Sequence, residues 1–123
     1  MRIEIRGNVD LSPALAQYTE RRLQSALGRL STRVPMVLVR LMDVNGPKGG
    51  VDKRCQVTLA MPPVAPLTIE EEHADLYAAI DFAADRAARA VSRQMGRRRA
   101  RRTLAAELRN AEKSGVFTRA FAS

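Results

Sequence analysis

The sequence predicts an α+β sandwich: a mixed four-stranded sheet in the order strand, helix, three strands, helix, with both helices on one face. Three observations predict it. Four segments alternate apolar and polar residues with the period of a half-buried strand. Two segments repeat apolar residues with the period of a helix. The strand–helix–strand connection is constrained to be right-handed, so both helices should cover the same side of the sheet.

The first strand is Arg2 to Arg6, where Ile3 and Ile5 point one way and charges the other; Gly7 and Asn8 end it. Ser12-Pro13 starts the first helix. The serine hydroxyl can accept from amides that lack a helical partner, and proline fits the first helical position. Leu15, Thr19, Leu23, Ala26, Leu27 and Leu30 follow as one stripe, with Tyr18, Arg21, Arg22, Ser25 and Arg29 on a neighbouring face.

Val34 to Val44 and Val51 to Met61 form a hairpin across the turn-rich run Asn45 to Gly50. Val37, Val39 and Leu41 face opposite to Met36, Leu38, Arg40 and Met42, and Cys55, Val57, Leu59 and Met61 face opposite to Arg54, Gln56 and Thr58. After three prolines, Leu67 to Glu72 is a short fourth strand. Asp75 can cap the second helix, whose apolar stripe is Tyr77, Ile80, Ala84, Ala87, Ala88, Val91 and Met95. Its alanines favour helix and permit close approach to a sheet. Leu104 to Lys113 can continue the helix, Gly115 should stop it, and Val116 to Ser123 is a tail carrying Phe117 and Phe121.

Charge singles out the second helix. The chain has a formal net charge of +8, and Arg86 to Arg102 alone holds eight arginines and no acid. At helical spacing Arg86, Arg89, Arg93 and Arg97 fall within about 80° of one another, opposite the apolar stripe. Solvated helix faces normally mix signs to gain support between residues four apart, so a face of one sign requires compensation. A polyanion supplies it, and the planar guanidinium suits phosphate. The membrane alternative is disfavoured, because the face opposite the arginines is alanine-rich and lacks bulky anchors. Scarce aromatics and no tryptophan leave few platforms for stacking unpaired bases, which favours recognition of structured RNA by backbone shape.

Other function classes find little support. A single cysteine, Cys55, allows no disulfide within the chain and fits a reducing compartment. Its place among inward-facing apolar residues makes it a structural thiol. No segment approaches the roughly 20 apolar residues of a membrane span, so the expected location is the cytoplasm. Gly46 to Gly50 includes Lys48 but has neither the spacing nor the following helix of a phosphate-binding loop. A metal-dependent hydrolase centred on Glu71 and His73 is the enzymatic alternative. Alternation, however, turns Glu71 away from Glu70 and Glu72, and no second cluster completes a ligand shell. The sequence therefore predicts no enzyme, no metal, no cofactor and no small-molecule substrate.

The opening strand with Leu11-Ser12-Pro13-Ala14-Leu15, the long hairpin, and above all Asp75-Leu76-Tyr77-Ala78-Ala79-Ile80-Asp81 leading into an arginine-studded helix carry a family likeness. The chain resembles the ribosome hibernation-promoting factors, or ribosome-associated translation inhibitors, also labelled sigma-54 modulation proteins. The likeness covers about residues 1 to 102. It implies a β-α-β-β-β-α fold similar to double-stranded-RNA-binding domains. It also implies binding to the small ribosomal subunit and its rRNA in the mRNA and tRNA channel, with translation inhibited in stressed or stationary cells. Carried onto this chain, the RNA contacts are Arg86, Arg89 and Arg93, with Arg97 one turn further, and Arg22, with Arg21 adjacent, on the first helix. Arg98 is expected to join them from its place in the arginine run, which from Arg98 to Arg102 extends beyond the fold. Asp75 and Tyr77 are expected to be structural, as cap and core. The expected organisation is a ribosome-binding domain over 1–102 and an extension over 103–123, partly helical or flexible. That is a short form, monomeric off the ribosome. The alternative is a module for other structured RNA or a transcription-related partner.

Overall fold

The computed structural model describes residues 1–44 and 51–114. Its elements are β1 (Arg2–Gly7), α1 (Pro13–Leu27), β2 (Met36–Asp43), β3 (Lys53–Ala60), β4 (Leu67–His73) and α2 (Leu76–Ser114), with a short 3-10 turn at Gly28–Leu30. The α+β order expected from the sequence is the order observed. The expected hairpin turn at 45–50, with Lys48, the stop at Gly115 and the tail with Phe117 and Phe121 lie outside the described residues.

The sheet runs β1-β2-β3-β4. β1 pairs parallel with β2, so α1 is the crossover between them, while β2–β3 and β3–β4 are antiparallel. β2 begins at Met36 rather than Val34 because Pro35 has no amide to donate; its carbonyl instead accepts from the Arg2 amide at 2.9 Å.

Two units divide the chain, Met1–Ala90 and Val91–Ser123, and α2 runs through the division. In the first unit the buried sheet face is Val37, Val39, Leu41, Cys55, Val57, Leu59 and Ile69. α1 buries Leu15, Thr19, Leu23 and Leu27, one residue per turn. Thr19 lies in the core without an orphaned hydroxyl, since its Oγ1 donates to the Leu15 carbonyl at 2.8 Å. α2 buries Ala79, Ile80, Ala83, Ala84 and Ala87. Ile80, Ala84 and Ala87 belong to the stripe that the spacing predicts, while Ala79 and Ala83 are buried beside it and Ala88 is only half-buried. Small side chains at these positions let the helix lie close to its neighbours.

Both helix starts are capped by the residues read from the sequence. Ser12 Oγ accepts from the Leu15 amide at 3.2 Å. The Asp75 carboxylate accepts from the Tyr77 amide at 3.1 Å. Tyr77 itself departs from expectation. It is 41% exposed rather than core, and its ring meets Tyr18 edge-to-face with centroids 4.8 Å apart. A tyrosine suits such a half-exposed place, because its ring can pack while its hydroxyl tolerates water.

The close of β1 is fixed by Gly7. A Cβ on this residue would lie 1.8 Å from the Leu41 carbonyl oxygen of β2, so only glycine allows the strands to approach. Beyond it the Asn8 side chain replaces backbone pairing: its carbonyl accepts from the Asp43 amide at 2.8 Å and its amide donates to the Asp43 carbonyl at 3.3 Å.

The second unit is described from Val91 to Ser114 as helix. It exposes Arg93, Arg97, Arg99, Arg101 and Arg102, as well as Leu104 and Leu108. Residue 102, where the sequence suggested a boundary, lies inside α2.

Candidate nucleic-acid interface

The two units differ sharply in charge. Residues 1–90 carry twelve Lys and Arg against eleven Asp and Glu, whereas 91–123 carry nine against two. Almost all of the excess therefore sits beyond Ala90.

Within the first unit, two arginines expected to touch RNA are already engaged. Arg22 of α1 donates from Nε to Asp81 at 3.1 Å and from Nη2 to Asp85 at 2.6 Å. Asp81 also accepts the Tyr18 hydroxyl at 2.6 Å. This cluster joins α1 to α2. The hydrogen bond to Asp81, burial and the carboxylate charge hold the Tyr18 phenol above its ordinary range, and the bond to Asp85 likewise raises Arg22. Arg86 donates from one Nη1 to the Glu71 carboxylate and to the Glu70 carbonyl, both at 2.9 Å, and so joins α2 to β4. A pair of this kind contributes little net stability when exposed, but it fixes where the helix lies on the sheet.

The acidic run of β4 is thereby accounted for. Glu71 turns to Arg86, while on the other sheet face Glu70 accepts from Gln56 at 2.7 Å and Glu72 accepts from Arg54 Nε at 2.8 Å. His73 Nδ1 accepts from the Asp75 amide at 3.2 Å, and its ring lies 5.7 Å from that of Phe82. The three glutamates thus point to different partners, as alternation predicted. Cys55 is buried opposite Glu71 in the β3–β4 register; burial and the nearby carboxylate push its thiol up to about 12. A thiol held neutral in this way is a core residue and not a nucleophile.

Other sequence-selected arginines stand open. Arg21 and Arg89 in the first unit are exposed, as are Arg93 and Arg97 in the second; Arg98 is half-buried. Among the described residues none of these five has an acidic partner. Tyr18, Arg21, Arg22 and Ser25 line an open depression of about 270 Å³ on α1. No described helix is long and apolar enough to cross a membrane.

Sequence reasoning missed the long-range engagement of Arg22, because nothing local brings Asp81 and Asp85 to α1. The contact of Arg86 was missed as well: alternation turned Glu71 away from Glu70 and Glu72, but helical spacing placed Arg86 on the outward arginine face. It also passed over Arg6 and Arg40, which alternation places on the uncovered face.

Fold and charge together define a class: an α+β domain whose second helix carries a dense array of arginines, most of them without an acidic partner among the described residues. The chain belongs to the family described as sigma 54 modulation protein / S30EA ribosomal protein, whose model matches residues 3–99. It is similar to the N-terminal domain of Protein Y from Thermus thermophilus, with 33% identity over 76% of this chain and 98% of that one and a TM-score of 0.59. A ribosomal subunit interface protein from Coxiella burnetii shares the fold, at 21% identity over 78% of this chain and 99% of that one, with a TM-score of 0.65. No curated protein matches the chain.

Proposed function

We propose that this chain is a non-enzymatic ribosome-binding factor that inhibits translation by occupying the mRNA and tRNA channel of the small subunit. Arginine–phosphate contacts to rRNA hold it there. The observation that carries this reading is the sorting of its cations. Arg22, Arg54 and Arg86 are consumed by internal carboxylates, while Arg21, Arg89, Arg93, Arg97 and Arg98 have no acidic partner among the described residues. A helix that carries unpaired like charge is stabilised when phosphate arrives. The family is described as a ribosomal protein, and ribosomal RNA is a polyanion large enough to engage many such residues.

In this reading Arg21, Arg89, Arg93, Arg97 and Arg98 contact phosphate. Arg22 and Arg86 act as positioning residues that fix α1 against α2 and α2 against β4. Occlusion requires only a folded body at the tRNA and mRNA position, so no bond is made or broken. The protein acts in the cytoplasm, where ribosomes are, during stress or stationary phase.

Competition tests the mechanism. On purified small subunits the protein and initiator tRNA should exclude one another. Simultaneous saturation by both would refute occlusion. A second reading, a module for another structured RNA or a transcription-related partner, draws on the sigma 54 half of the family description. It predicts RNA or protein binding that is indifferent to tRNA.

A further inference from the structure

We propose that Arg6 and Arg40 form a second phosphate-binding site on the sheet face opposite α1 and α2, so that nucleic-acid backbone contacts the first unit from two sides. This rests on the polyanion-binding reading above. Arg6 and Arg40 are register partners in the parallel β1–β2 pair. The neighbouring pairs Ile3–Val37 and Ile5–Val39 face the core, so period-two alternation turns both arginines to the uncovered face. Adjacent strands lie about 4.8 Å apart, so two guanidinium stems begin side by side. Like charges in that position are destabilising unless something answers them.

The local answer is incomplete. Glu4 is shared between Arg2 Nη2 at 2.9 Å and Arg6 Nη2 at 3.3 Å. Arg40 has no acidic partner among the described residues. Its other neighbour in the row is Gln56, which is bonded to Glu70. Three guanidiniums therefore meet one carboxylate at this edge. The β3–β4 half of the same face is different: Arg54 closes on Glu72, Gln56 on Glu70 and Thr58 on Thr68. The face is polarised, positive at β1–β2 and self-satisfied at β3–β4.

Shape agrees with charge. Arg6, Gly7, Asn8, Arg40 and Met42 line an open depression of about 290 Å³. The described strand residues of this face include no aromatic, so the contact is to sugar-phosphate backbone and not to stacked bases. The non-bridging oxygens of a phosphodiester can take a guanidinium from each strand.

The test compares the full chain with the double variant R6Q/R40Q, measuring affinity for purified small subunits and for an RNA duplex of about 16 base pairs at several salt concentrations. We expect about tenfold weaker binding and a salt dependence shallower by one to two counterions. The unfolding midpoint should be unchanged or higher, since a like-charge pair is removed. Wild-type affinity with wild-type salt slope would overturn the site. So would displacement from subunits by polyglutamate but not by duplex RNA, which would assign the face to an acidic protein segment. If R6Q/R40Q does not fold, R40Q alone leaves the Glu4 pairs intact and should lose one counterion of slope. An unchanged slope there also overturns the site. Failure of the ribosomal reading is distinct: the wild type would then not bind subunits, while the duplex arm would still report on Arg6 and Arg40.

Discussion

Arg86 Nη1 lies 2.9 Å from both the Glu71 carboxylate and the Glu70 carbonyl, so this member of the arginine array ties α2 to β4. Arg86→Glu would set a carboxylate against Glu71. It should lower stability by about 1–2 kcal/mol in urea unfolding, with the solvent-exposed geometry limiting the loss. Arg89→Glu, with no acidic partner to lose among the described residues, should stay within about 0.5 kcal/mol of wild type. Equal losses would mean that the Arg86 contact does not position the helix.

Asp81 accepts from both Tyr18 and Arg22. Asp81→Ala should cost about 1 kcal/mol, the worth of a part-exposed hydrogen-bonded pair. It should also bring the Tyr18 phenol down toward its ordinary range, because that hydrogen bond is the leading cause of its upward shift. Ultraviolet titration of the chain's two tyrosines reads this directly.

Cys55 predicts an alkaline limit to stability. Its native thiol is pushed up to about 12, above an unfolded value near 8.5, chiefly by burial. The native state therefore keeps a proton that the unfolded state releases. This stabilisation is constant below about pH 8.5 and absent from the slope there. Above it, stability should fall by up to about 1.4 kcal/mol per pH unit until the native thiol ionises. The upward shift of Tyr18 adds a loss of the same sign above its unfolded value. Cys55→Ala should flatten the slope between about pH 9 and 10.5 in unfolding measured against pH.

Gly7→Ala should destabilise the fold by about 3 kcal/mol or more, since the added Cβ would lie 1.8 Å from the Leu41 carbonyl oxygen and the parallel pairing must open. Amide exchange at the end of β1 should accelerate in whatever fraction folds.

The architecture was legible because local signals agreed with one another. Alternation in β2 and β3 sorted Val37, Val39, Cys55 and Val57 from Arg40 and Gln56, and the Ser12 and Asp75 caps marked the helix starts. The arginine array was legible as composition. Its internal division was not, because whether an arginine is spent or free depends on acids brought to it by the fold. Asp81 and Asp85 reach Arg22 from about sixty residues away in the chain. Tyr77 was misplaced for a related reason: helical spacing assigned it to the core stripe, but the Tyr18 ring takes one side of it and solvent the other.

The most direct test of the account is co-sedimentation with purified small subunits across a salt series, comparing wild type with R89E/R93E/R97E. The account predicts wild-type binding that weakens steeply with salt, and loss of binding in the variant with its unfolding midpoint preserved. Undiminished co-sedimentation of the variant at moderate salt would contradict it.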